Sequence, residues 1–188
     1  MKKAFTVFVD RDGVINRDSA AYIKNCDEFQ FLPGSLEAFV MLEKHGFDVI
    51  VITNQSIIGR KMVTSDVLAA IFDKLTQGVE KAGGKIKDIF FCPHAPDDNC
   101  DCRKPLPGMI LSAKEKYNID IDKSCMIGDS AKDIECGKNA GCGATLLVKT
   151  GNGIQAEEEL KKKNSQPDYV ANDLLDAVEW IIQNNPLN

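Results

Sequence analysis

Two aspartates, Asp10 and Asp12, stand two positions apart where the apolar run Phe5 to Val9 ends in a polar turn. Both can reach the same side of that turn and approach one cation. Mg²⁺ favours one or two carboxylates completed by water and phosphate oxygens, and Asp129, behind another apolar run, offers a third protein anion. Thr53, followed by Asn54, Gln55 and Ser56, places a hydroxyl and free backbone N–H groups where a phosphoryl oxygen could be held, and Lys104 adds positive charge. Any one Asp after a strand is ordinarily a turn or cap residue. The set as a whole points to Mg²⁺-dependent phosphoryl chemistry.

A second constellation is Cys92-Pro93-His94 with Cys100-Asp101-Cys102. Cys92, His94, Cys100 and Cys102 are four ligands of the softness that tetrahedral Zn²⁺ takes. Four protein ligands close the shell, so the expectation is a structural zinc; the alternative is chance clustering of buried cysteines. Cys26, Cys125, Cys136 and Cys142 read as small buried hydrophobes, and His45 before Gly46 as a helix C-terminal residue near the last carbonyls.

Patterning supplies the elements that must position these groups. Strands are expected over Ala4 to Val9, Asp48 to Thr53, Asp88 to Phe91, Ser124 to Ile127, Ala144 to Val148 and Asp168 to Val170. Helical stripes run from a Ser35 N-cap to His45-Gly46, over Ser65 to Ala82, Gly108 to Tyr117, around Asp133 to Ala140 and over Leu174 to Gln183. Glu157 to Lys163 reads as a solvated helix with i,i+4 ion pairs and no function. Strands alternating with helices predict an α/β fold: a three-layer, doubly wound, Rossmann-like and mainly parallel sheet with ligands at the carboxyl ends of its strands.

The chain has 188 residues, 44% hydrophobic and 27% charged, without internal repeats or linkers, which is the size of one domain spanning 1–188. A net charge of −5 and the absence of a basic patch argue against nucleic acid. No apolar run approaches the ~20 residues of a membrane span. Asp10 interrupts the apolar stretch behind Met1-Lys2-Lys3 too soon for a secretory signal, and seven cysteines are an odd number for a disulfide framework. The expectation is a cytoplasmic protein acting on a small phosphorylated metabolite, with oligomeric state open and a monomer compatible with the sequence.

The segments Phe8 to Val14, Ile52-Thr53-Asn54, Arg103-Lys104-Pro105 and Gly128-Asp129 to Asp133 resemble, in order and type, the four motifs of haloacid dehalogenase superfamily phosphatases. The resemblance implies that Asp10 is the nucleophile forming an aspartyl-phosphate and Asp12 the acid and base. It also implies that Thr53 and Lys104 hold the phosphoryl group. By the same resemblance, Asp10, the main-chain carbonyl of Asp12, and Asp129 ligate Mg²⁺, with Asp133 behind them. The intervals 14–52 and 54–102 are filled by a flap, helices, strands and the Cys/His turn, so the core is expected to be capless and the site open.

The Cys/His cluster together with Arg103-Lys104-Pro105 resembles the zinc-containing phosphatases for D-glycero-D-manno-heptose 1,7-bisphosphate and for histidinol phosphate. Val14-Ile15-Asn16, Tyr22-Ile23 and Thr53 to Ser56 lean toward the former. This implies substrate contacts from Asp18, Tyr22, Asn54, Gln55, Ser56 and Arg103. A second phosphate would be met by Arg103, Arg60 and Lys61, whereas the amine of histidinol phosphate could meet Asp97 and Asp98. The sequence departs from the family at Ile57-Ile58 and at Ser130, where a basic residue commonly follows the metal aspartate. A receiver-like phosphoacceptor module is the non-enzyme alternative, and a sugar-phosphate binding protein another; the acid at plus two from Asp10 speaks for turnover.

Overall fold

A computed structural model describes residues 5–184. Six strands, β1 (Thr6–Val9), β2 (Asp48–Asn54), β3 (Asp88–Cys92), β4 (Ser124–Gly128), β5 (Ala144–Val148) and β6 (Tyr169–Ala171), alternate with helices. The helices are α1 (Ser35–Lys44), α2 (Ser65–Ala82), α3 (Gly108–Tyr117), α4 (Ala131–Ala140), α5 (Gly153–Lys162) and α6 (Leu174–Asn184). Every strand pair is parallel and the order is β3-β2-β1-β4-β5-β6. Ala4, expected at the start of β1, lies outside the described residues.

Alternation along β1 explains the three layers. Val7 and Val9 pack with Phe39 and Leu42 of α1, with α2 and with α6, while Phe8 packs with Ile52, Met126, and Met109 and Ile110 of α3. Side chains of successive strand residues leave opposite faces, so a strand this central must be apolar throughout, as Thr6–Val9 nearly is. A smaller cluster of Ile134, Leu147, Ala156 and Leu160 seats α4 and α5. Gly78 of α2 is required by a close approach, since a Cβ there would overlap the Phe31 ring.

Two local expectations change. Ser35 does not cap α1: Gly34, at φ 78°, precedes the helix, and the buried Ser35 hydroxyl donates to the Leu32 carbonyl at 2.8 Å. Cys125 and Cys136 are buried as expected, but Cys26 and Cys142 are only partly so. His45 does serve the end of α1, its Nδ1 lying 2.8 Å from the Met41 carbonyl. The i,i+4 pairs on α5 form as Lys161–Glu157 and Lys163–Glu159, each at 2.7 Å. Among the described residues no helix is long and apolar enough to cross a membrane.

Candidate active site

The acidic residues meet where β1 and β4 end side by side. The Asp10 N–H donates to the Ile127 carbonyl at 2.9 Å, so the ladder continues one residue past β1 and fixes this aspartate on the rigid sheet. Gly13 at φ 82° and Gly151 at φ 57° close around Asp129 so tightly that a Cβ on either would overlap its carboxylate. The carboxyl oxygens of Asp10, Asp129 and Asp133 lie within 4.8 Å of one another.

Lys104 enters from the loop after β3. Its Nζ lies 2.8 Å from Asp10 and 2.5 Å from Asp133, and donates to the Ile52 carbonyl at 2.9 Å. Its backbone is paired with the Asn54 side chain in both directions, at 3.1 and 3.2 Å. Asp133 uses its other oxygen on the Ser130 N–H and hydroxyl, at 3.0 and 2.6 Å, a capping box that opens α4.

Three buried carboxyls thus cluster beside one ammonium, which pairs with two of them, Asp10 and Asp133. Burial pushes Asp10 well above the usual carboxylate range, with Asp133 and Asp129 adding to it against the pull of Lys104. Asp129 is pushed up to about 7, by burial and then by Asp133, against the Asn152 N–H that donates to it at 2.8 Å. Burial alone would lower Lys104, but Asp10 and Asp133 outweigh it and keep the ammonium charged. The surplus negative charge and all-oxygen donor set fit a hard divalent cation, whose binding would return both acids to the ionised form.

Asp12 faces away from this cluster. Its carboxylate accepts from Arg11 at 2.7 to 3.0 Å, from Asn16 Nδ2 at 2.9 Å and from Gln55 Nε2 at 2.9 Å. The side chain therefore adds nothing to the carboxylate cluster, which leaves the main-chain carbonyl as the group it could offer a metal.

A cavity of about 460 Å³ opens over these residues. Of the residues expected from sequence, Asp10, Asp12, Thr53, Lys104, Asp129, Asp133, Asp18, Tyr22, Asn54 and Arg103 line it. Gln55 and Ser56 do not; both are buried, Gln55 against the Asp12 and Thr53 side chains. Arg60, Lys61, Asp97 and Asp98 are also absent from its wall, and Asp98 instead accepts the Ala95 N–H at 2.7 Å in a turn.

Sequence reasoning missed Lys132, Glu159 and Asn152, which do line it. Asn152 donates to Asp129 and, at 3.1 Å, to Asp18. Its position just after β5 was the available signal, since the same strand-end rule selects it. No such rule finds Glu159, which lies in α5.

The second constellation also assembles. Cys92 Sγ lies 3.6 Å from both His94 Nδ1 and Cys100 Sγ, and His94 Nδ1 is 3.3 Å from Cys102 Sγ. Tetrahedral Zn–S bonds of about 2.3 Å set sulfurs about 3.8 Å apart, so the four residues fit zinc. Burial, and then the Cys92 and Cys100 sulfurs, raise the Cys102 thiol; a bound zinc would hold it as thiolate. This loop is tied to the carboxylate site at both ends. The Cys92 carbonyl accepts the Gln55 N–H at 2.8 Å, and Lys104 follows Cys102 by two residues.

The parallel sheet with its acids and lysine at the carboxyl edge is the architecture of a haloacid dehalogenase-like hydrolase, and the HAD-hydrolase-like family model matches residues 101–177. D-glycero-beta-D-manno-heptose-1,7-bisphosphate 7-phosphatase of Bordetella bronchiseptica is 44% identical over 147 residues, 78% of this chain and 82% of the relative. The enzyme of that name from Neisseria meningitidis serogroup A is 38% identical over 95% of each chain. The crystal structure of D,D-heptose 1,7-bisphosphate phosphatase from B. bronchiseptica, complexed with magnesium and phosphate, superposes with a TM-score of 0.88 at 39% identity, covering 95% of this chain and 98% of that one. The chain belongs to this family of haloacid dehalogenase-like heptose-bisphosphate phosphatases. Membership in a family of phosphatases sets aside the receiver-like and pure binding alternatives.

Proposed function

We propose that the chain, acting as one domain over residues 1–188, releases the 7-phosphate of D-glycero-β-D-manno-heptose 1,7-bisphosphate through an aspartyl-phosphate on Asp10. The observation that carries this reading is Asp10 itself, held by the strand ladder on the floor of the cavity with Lys104 Nζ 2.8 Å away. Mg²⁺, when bound by Asp10, the Asp12 carbonyl and Asp129 with Asp133 behind them, neutralises the surplus anionic charge and polarises the phosphoryl oxygens.

In the first step an Asp10 carboxylate oxygen bonds to phosphorus, the phosphorus–oxygen bond to the sugar breaks, and the Asp12 carboxyl gives its proton to the departing oxygen. In the second, water attacks that phosphorus, Asp12 takes the water's proton, and the bond to Asp10 breaks. Lys104 and the Thr53 hydroxyl hold the phosphoryl oxygens throughout. Arg103 and Lys132 are the basic residues of the cavity wall that remain for the second phosphate, with Asp18, Tyr22 and Asn54 beside the sugar.

The partner is then a small phosphorylated metabolite and the setting cytoplasmic, with one chain sufficient for the site. Phosphate release should be compared on heptose bisphosphate, histidinol phosphate and 4-nitrophenyl phosphate, with ³¹P NMR to identify the phosphate lost. The reading requires the highest kcat/KM on the bisphosphate, loss of the 7-phosphate, and a larger effect of Arg103→Ala on the bisphosphate than on the aryl ester. A preference for histidinol phosphate would reassign the substrate.

A further inference from the structure

Gln55 is not part of the cavity wall and is only 3% exposed, so a substrate contact is not available to it. Its side-chain nitrogen is 2.9 Å from Asp12 Oδ2 and 2.9 Å from Thr53 Oγ1. A carboxylate only accepts, so the group facing Asp12 is the amide NH₂ and not the amide oxygen. One of its hydrogens is directed at Asp12 and the other at Thr53. The threonine oxygen is thereby occupied as an acceptor, and its own hydrogen is left for an acceptor on the cavity side.

The backbone of Gln55 is fixed as well, donating to the Cys92 carbonyl at 2.8 Å. Arg11 and Asn16 hold the same carboxylate, Arg11 through both oxygens and Asn16 through Oδ1. Gln55 differs from both in reaching two functional side chains at once.

We propose that Gln55 is a positioning residue that sets the proton-transferring carboxyl of Asp12 and the phosphoryl-holding hydroxyl of Thr53 in register with each other. This rests on the roles given to Asp12 and Thr53 above. Its two consequences separate by leaving group. An alkyl phosphate needs a proton on the departing oxygen as the phosphorus–oxygen bond breaks, so it depends on where Asp12 stands. 2,4-Dinitrophenyl phosphate departs as a stable phenolate without that proton, and depends only on how the phosphoryl group is held. The value kcat/KM reports the first irreversible step, the transfer to Asp10, for both esters.

The experiment measures kcat/KM of wild type and Gln55→Leu on the heptose bisphosphate and on 2,4-dinitrophenyl phosphate, with zinc content and thermal unfolding as controls. The expected result is a loss of about 30- to 100-fold on the sugar phosphate and less than about fivefold on the dinitrophenyl ester. Repeated in an Asp12→Asn background, Gln55→Leu should cost both esters the same small factor. Equal losses on both esters in the wild-type background would show that Gln55 does not set Asp12 in register and would overturn the proposal, and unchanged kinetics would remove Gln55 altogether. If Gln55→Leu folds poorly, Gln55→Met supplies the same comparison. A wild-type chain that hydrolysed neither ester would instead overturn the phosphatase reading beneath the proposal.

Discussion

The molecule carries two ligand clusters of opposite construction. Asp10, Asp129 and Asp133 project from strand ends and from the first turn of α4, are almost wholly buried, and offer only oxygen. Cys92, His94, Cys100 and Cys102 sit mostly on a loop, three of them partly exposed, and offer sulfur and nitrogen. Backbone hydrogen bonds hold the first set in place, whereas little apolar contact holds residues 95–101. On the proposed function this contrast is a division of labour: the oxygen cluster is the preformed site of the chemistry, and the sulfur cluster shapes a loop so that Lys104 reaches it.

If that division holds, the largest effect should come from the oxygen cluster. Asp10→Asn keeps the volume and the ladder bond to Ile127 but removes the nucleophile, and phosphate release should fall by about 10⁴ or more while the circular dichroism spectrum stays native. Turnover within tenfold of wild type would break the assignment. Asp12→Asn should slow both half-reactions by about 10² to 10⁴ and leave Mg²⁺ binding intact, because the carbonyl remains. Calorimetric titration with Mg²⁺ checks the second half of that statement.

Loosening the sulfur cluster should cost less. Cys102→Ser is expected to lower activity by about ten- to a hundredfold through a misplaced Lys104, reduce the zinc content, and make the loop more susceptible to proteolysis, while the Mg²⁺ requirement persists. Wild-type protein purified without chelator should contain about one zinc per chain by elemental measurement. Metal-free but fully active protein would show that the loop needs no metal to place Lys104.

The smallest effect is on stability. Asp129 is pushed up to about 7 in the folded chain from an ordinary 3.8. Between these values the folded state keeps a proton that the unfolded state has released, so stability without Mg²⁺ should fall as pH rises from about 4 to about 7. Added Mg²⁺ should therefore raise the Tm by several degrees more at pH 8 than at pH 5, and Asp129→Asn should flatten the difference. An equal Mg²⁺ increment at both pH values would contradict the surplus-charge account.

What was legible in the sequence follows the same line. Strand ends are written in short apolar runs that stop at a polar residue, so Asp10, Thr53 and Asp129 could be placed at the sheet edge from sequence, and the meeting of Cys92, His94, Cys100 and Cys102 was signalled by their spacing. Residues whose role depends on direction could not be read. Gln55 adjoins Thr53 and Asn54 in sequence, yet it is buried against Asp12 and Thr53 while Asn54 faces the cavity, and only the meeting of β2 with the Asp12 turn decides which. Lys132 and Glu159 reach the wall from two different helices, a juxtaposition that no local pattern encodes. Arg60 and Lys61 share the right edge of the sheet but not the cavity, because their loop packs instead against the Cys92–Cys102 turn, with Gly59 N–H donating to the Pro93 carbonyl at 2.9 Å.

In the proposed reaction, turnover passes through a phosphoryl group on Asp10. Wild-type protein mixed with Mg²⁺ and the heptose bisphosphate, quenched in acid within the first turnover and digested, should yield by mass spectrometry a phosphorylated peptide with the label on Asp10. The label should chase away when the quench is delayed until substrate is exhausted, and should be missing from Asp10→Asn. Full turnover with no labelled peptide at any quench time, or with the label on another residue, would contradict the account.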